Sequence, residues 1–182
     1  MPRYIAFLRA INVTGRFVKM AVLAEHCRTL GLADVQTHIN SGNLIFNAPA
    51  QQAALLSAGI EAGLAPLLGF TTEAFVRTPA EVQALAEHGA ALRPQVGEAG
   101  DVNVIFLGQP LTPEHTAAVR ALRTDIDDFV CTGREVLWLC RTRQSNSRIS
   151  NAVLQRTLRQ RCTLRRASML QGLIERLQTG GP

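Results

Sequence analysis

The stretch that most constrains this chain is VQTHINSGNLIF at residues 35–46. Its Val, Ile and Phe positions favour a pleated, buried sheet, and Ser41-Gly42 between them reads as a tight turn, because Gly42 can take the positive φ a hairpin requires. The same pattern returns at residues 128–139, DFVCTGREVLWL, with Thr132-Gly133 at the tip. Two such hairpins leave few architectures open, and the segments around them narrow the choice further.

Upstream of the first hairpin, RYIAFL at residues 3–8 is apolar at alternate and at intervening positions, so it predicts a strand covered on both faces. A long connection at residues 9–19 leads to a helix with Met20, Leu23, Cys27 and Leu30 on one stripe and Gly31 placed to stop it. After the hairpin come an alanine-rich helix ending near Leu64, a strand over residues 72–77, and a helix opened by the capping box Thr78-Pro79-Ala80-Glu81. Residues 93–100 form a Pro- and Gly-bearing linker. The order then repeats. A strand over 102–107, a helix capped by Thr112-Pro113, the second hairpin, a helix over 148–160, a strand over 162–166 and a helix capped by Ser168 follow one another. The prediction is an α+β protein of two ferredoxin-like βαββαβ halves in tandem, an internal duplication, over residues 1–92 and 101–182. A single open α/β sheet is the competing architecture.

Charge is distributed unevenly along this order. Residues 1–135 carry ten basic and thirteen acidic side chains, whereas residues 136–174 carry eight arginines and no acid. Clustered guanidinium groups repel one another unless they share an anion, which points to a phosphate-bearing partner; a solvated basic face is the plainer explanation. No apolar run reaches the ~18 residues of a transmembrane helix. The segment Met1-Pro2-Arg3-Tyr4 lacks the pattern of a signal peptide, so a cytoplasmic protein with no membrane partner is expected. The cysteines Cys27, Cys131, Cys140 and Cys162 have no metal-ligand spacing. In the second hairpin Cys131 should face Val136 and Cys140 should face Asp127, which predicts free thiols.

The topology brings two loop groups to sheet edges. In the first half, the long connection should meet the hairpin tip, so that Arg9, Asn12, Thr14, Arg16 and Lys19 share space with Ser41 and Asn43. Long loops on a rigid sheet often carry function, although Asn and Ser in such places also bond their own turns. In the second half, Arg141, Arg143, Arg148 and Arg165 should gather around a helix N-terminus capped by Asn146 or Ser147, an arrangement suited to phosphate. No phosphate-loop, dinucleotide, metalloprotease or nucleophile-elbow motif occurs. No carboxylate is expected at either cluster, which argues against acid–base or divalent-metal chemistry, and neither a cofactor nor a metal is predicted. His38, beside the hairpin tip, is the one histidine placed to approach a site.

Two motifs resemble a known family. Tyr4-Ile5-Ala6-Phe7-Leu8-Arg9-Ala10-Ile11-Asn12-Val13 and Ile39-Asn40-Ser41-Gly42-Asn43-Leu44-Ile45-Phe46 are similar to the bacterial "domain of unknown function" 1697 family, with its L-R-G-I-N-V-G-G stretch and Q-S-G-N hairpin. Val76-Arg77-Thr78, Ser147-Arg148-Ile149-Ser150-Asn151 and Thr163-Leu164-Arg165 resemble its V-R-T, S-K-L-T-N and T-x-R segments. Ala10 and Thr14 stand where glycines are usual, Asn40 replaces Gln, and Arg148 replaces Lys. The resemblance implies a duplicated ferredoxin-like fold in a bacterial cytoplasmic protein and no activity.

The leading expectation is therefore binding of a nucleotide or nucleic acid. Arg141, Arg143, Arg148, Arg165 and the Ser147 region would contact phosphate, and Arg9, Asn12, Ser41 and Asn43 would form a second polar site. Two alternatives remain open: a small enzyme working around Arg9, Asn12, His38 and Ser41, or an interaction module with a basic face.

Overall fold

The computed structural model describes residues 1–13, 15 and 17–179. The chain divides into two compact units, Met1–Glu81 and a second beginning at Val82. The first unit contains strand β1 (Arg3–Leu8), helix α1 (Met20–Thr29), strands β2 (Ala33–His38) and β3 (Asn43–Asn47), helix α2 (Ala53–Leu68) and strand β4 (Ala74–Arg77). Helix α3 (Pro79–Leu92) leads into the second unit, with strand β5 (Asp101–Leu107), helix α4 (Pro113–Arg120), strands β6 (Asp127–Thr132) and β7 (Glu135–Cys140), helix α5 (Asn151–Leu158), strand β8 (Cys162–Arg166) and helix α6 (Ala167–Thr179).

Both sheets are four-stranded and antiparallel, ordered β2-β3-β1-β4 and β6-β7-β5-β8. The first strand of each set is an inner strand buried along nearly its whole length: residues 4–8 of β1 and 102–107 of β5 are all buried. In the first unit Tyr4, Ala6, Leu8, Leu44 and Phe46 face a core closed by Leu23 and Cys27 of α1 and Leu56, Ile60 and Leu64 of α2. In the second, Ile105, Leu107, Val136 and Trp138 face Val119 of α4 and Leu154 and Leu158 of α5. Each such fully buried Leu, Ile or Phe contributes about 1.5–3 kcal/mol relative to exposure. The opposite sheet faces are buried too, through Ile5, Phe7, Ile45 and Phe75 in one unit and Val104, Phe106, Leu137 and Leu139 in the other.

Local signals explain most element ends. Gly31 at φ +86 and Gly69 at φ +70 follow α1 and α2, where a left-handed residue closes a helix. Thr78 and Glu81 form the expected capping box, with the Thr78 N–H donating to Glu81 Oε2 at 2.7 Å and the Glu81 N–H to Thr78 Oγ1 at 3.3 Å. Thr112 caps α4, and His115 completes that box by accepting the Thr112 N–H on Nδ1 at 3.2 Å. Cys131 lies opposite Val136 and Cys140 opposite Asp127, as the register predicted, and all four cysteines are free. Among the described residues no helix is long and apolar enough to cross a membrane, and no group of three or more His, Cys, Asp or Glu side chains could hold a metal ion.

Two expected caps differ. Ser168 lies inside α6, which begins directly after β8 at Ala167, because that small buried residue packs against Gly89 of α3. Helix α5 begins at Asn151 and its N-cap is Ser150, whose Oγ accepts the Val153 N–H at 3.2 Å; Asn146 and Ser147 are not its caps.

Candidate functional site

The first unit brings its long connection and hairpin tip together. The Leu8 N–H donates to Gly42 O at 2.8 Å, and Asn12 Nδ2 donates to Asn40 O at 2.9 Å. Asn12 also accepts the Val18 N–H on Oδ1 at 2.9 Å, so one side chain closes the loop on itself and ties it to the turn. Asn43 is fully buried and donates from Nδ2 to His38 O and to Ser41 Oγ, each at 2.9 Å. Arg9 Nη1 donates to Glu73 Oε2 at 2.7 Å, and the Arg9 carbonyl accepts Thr72 Oγ1 at 2.6 Å. The expectation of no carboxylate here is thus corrected: β4 pairs with β1 and carries Glu73 to the loop. Lys19 is exposed, and His38 is half-buried opposite Asn43 in the β2–β3 register. Thr14 and Arg16 lie outside the described residues.

The second unit uses its polar residues differently. The carboxylate of Asp127, at the start of β6, is buried and surrounded by neutral donors. Trp138 Nε1 and Ser147 Oγ donate to its Oδ1 at 2.8 Å each, and Thr124 Oγ1 donates to its Oδ2 at 2.9 Å. Ser147 Oγ in turn accepts the Ile149 N–H at 3.0 Å, which fixes the backbone on both sides of Arg148. Arg141 lies 3.6 Å from Asp128 and Arg166 lies 3.1 Å from Asp101, so acids from β5 and β6 reach arginines of the basic segment. Here too the expected absence of carboxylates fails, since strand pairing crosses the boundary between the acidic and basic stretches.

Beside Asp127 lies a cleft of about 550 Å³ with an aliphatic wall of Leu122, Ile126, Ile149 and Val153. Arg148 and Arg156 line it together with Asp125, Asp127 and Asn146. Among the described residues neither the Arg148 nor the Arg156 side chain makes a hydrogen bond or ion pair, and the same holds for the side chain of the exposed Arg143. Arg156 was absent from the sequence-derived site. Its signal is helical spacing: it stands three residues after Val153, on the flank of the buried Leu154–Leu158 stripe.

A sequence model of the protein family described as "Protein of unknown function (DUF1697)" matches residues 1–137. The chain belongs to the DUF1697 family. No curated protein matches it. Among solved structures, the chain is similar to the conserved bacterial protein SP0830 from Streptococcus pneumoniae, at 23% identity with a TM-score of 0.76 over 98% of this chain and 99% of that one. That likeness concerns the fold alone.

The DUF1697 motifs now acquire physical reasons. Ala10 has φ +57 and Gly42 φ +74, the left-handed region that favours glycine. At Gly42 a side chain would also meet Ile11 Cβ at 2.9 Å. The match ends at Leu137, before the loop that bears Arg148. Arg165 does not line the cleft. It sits on β8, two strands from β7, and donates from Nη1 to Thr163 Oγ1 at 3.1 Å and to Leu164 O at 2.8 Å. Burial pushes its guanidinium down to about 10, still cationic at neutral pH. Arg77 is its counterpart on β4: buried, with Nη1 donating to Val76 O at 2.9 Å.

Proposed function

We propose that this chain binds a phosphate-bearing ligand, a nucleotide or nucleic acid, at the cleft lined by Arg148 and Arg156. The observation that carries the reading is that two guanidinium groups line one cavity while neither has an acidic partner among the described residues. Like charges on one cavity that lack acidic partners are stabilised by a shared anion, and guanidinium matches phosphate bidentately. Arg143 is exposed on the same segment and adds to the positive field. Arg141 contributes less, because Asp128 already offsets its charge, and Arg165 stands apart on β8.

The test uses two probes at about 50 and 200 mM salt, a span over which several phosphate contacts weaken binding strongly. A fluorescein-labelled single-stranded oligonucleotide is followed by anisotropy and AMP by titration calorimetry. The expected result is salt-sensitive binding of at least one probe that falls about tenfold or more in the Arg148→Ala/Arg156→Ala double variant. Binding of neither probe at low salt, or equal binding by the folded variant, overturns the reading.

We also infer that the two units are ferredoxin-like halves related by duplication. Three features support this: the matching strand orders, the shared strand–helix sequence, and the equivalent placement of Arg77 and Arg165 on the fourth strand of each sheet. The duplicated segments would be residues 1–92 and 101–182, with the linker between them. Most of α3, from Val82 onward, belongs to the second compact unit.

A further inference from the structure

We infer that the ligand of the Arg148–Arg156 cleft is a nucleoside monophosphate, with its single phosphate on the two arginines and its base on the aliphatic wall. This inference rests on the phosphate-binding reading above and narrows it. The first argument is charge. Two guanidinium groups that form no ion pair can meet one phosphate monoester, which carries about −1.5 to −2 near pH 7, while Asp125 and Asp127 on the same cavity limit how much negative charge it accepts. A triphosphate would bring further negative charge into a cavity that also holds the carboxylates of Asp125 and Asp127. Like charges brought close together disfavour that occupant.

The second argument is the shape and chemistry of the wall. About 550 Å³ is the size of an ordinary small-molecule site, far more than an inorganic phosphate fills. Leu122, Ile126, Ile149 and Val153 offer a surface that a flat, largely apolar ring covers well. A bare sugar phosphate would instead turn hydroxyl groups toward hydrocarbon with no partner. The third argument is the remaining polar capacity. Both oxygens of Asp127 are engaged by Trp138, Ser147 and Thr124, whereas the Asp125 side chain makes no hydrogen bond or ion pair among the described residues. Asp125 is therefore a free anionic acceptor in the cleft. It suits an N–H or O–H donor such as a base amino group or a ribose hydroxyl.

The experiment is a calorimetric series on the full chain with AMP, inorganic phosphate, ribose 5-phosphate, ATP and a short single-stranded oligonucleotide. Each is repeated on Arg148→Ala/Arg156→Ala and on Asp125→Asn. The expected result is AMP binding about tenfold tighter than phosphate, ribose 5-phosphate or ATP. The advantage over ATP should shrink in Asp125→Asn, and all binding should weaken in the double arginine variant. If phosphate or ribose 5-phosphate binds as tightly as AMP, or ATP or the oligonucleotide binds more tightly, while the arginines remain necessary, the monophosphate inference fails and phosphate binding stands. If no probe binds, or binding ignores the arginines, both fail together.

Discussion

The loop edge of the first unit and the cleft of the second are both polar sheet margins, yet they spend their polarity in opposite ways. Around Asn12 and Asn43 the amides bond to backbone carbonyls, a hydroxyl and a backbone N–H, and Arg9 holds Glu73. Around Asp127 the neutral donors are consumed in building the wall, and the cations beside it are left over. Proximity of polar residues therefore does not measure their capacity to bind. What matters is the number of donors and acceptors that remain after the fold has satisfied itself.

This contrast can be broken by substitution, beginning with the largest effect. Gly42→Ala should cost about 2–4 kcal/mol, combining the left-handed backbone with a methyl group driven against Ile11 and Leu8. A urea midpoint unchanged from wild type would show that the first edge is not built as tightly as described. Asp127→Ala should cost about 2–3 kcal/mol, because the indole N–H of Trp138 and the hydroxyls of Ser147 and Thr124 lose their acceptor. Trp138 is the only tryptophan, so its emission reports the same change directly, and an unaltered spectrum would contradict the hub.

Next is a titration inside the first unit. Burial raises the Cys27 thiol to about 11, against an ordinary value of 9.0. A folded-state value above the unfolded one means that the contribution is complete below about pH 9 and is lost as pH rises through 11, by about 2–3 kcal/mol at most. Stability measured from pH 8 to 11 should fall more steeply in wild type than in Cys27→Ala, and parallel curves would refute the assignment. Glu73→Gln should cost about 1 kcal/mol or less, since both side chains of its pair with Arg9 keep 27% of their surface in solvent. Smallest of all, Arg148→Ala and Arg156→Ala should each leave stability within about 0.5 kcal/mol, because neither makes a bond that folding would miss. A large loss there would mean that the arginines serve the fold and not a ligand.

The elements were legible where the signal is local. The apolar run of β1, the stop at Gly31 and the caps at Thr78 and Thr112 are each written within a few residues, and each appears in the structure. The contact of Asn12 with the hairpin tip was also legible, because it follows from strand order alone. The start of α6 was not, since Ser168 has the chemistry of a cap but the tight fit of Ala167 on Gly89 begins the helix sooner. Ser147 likewise looks like a cap and instead serves the Asp127 carboxylate, a partner twenty residues away.

By itself, then, the sequence determined the periodicities, the glycines at left-handed positions and the excess of arginine in its last third. Only the tertiary structure decided which of those arginines are neutralised. Asp101 and Asp128 belong to the acidic part of the chain, and antiparallel pairing carries them to Arg166 and Arg141. Arg148 and Arg156 share a cleft with Asp125 and Asp127, yet among the described residues neither forms an ion pair. Their availability depends on the distance to every other charge, and distances in space are not ordered by position along the chain.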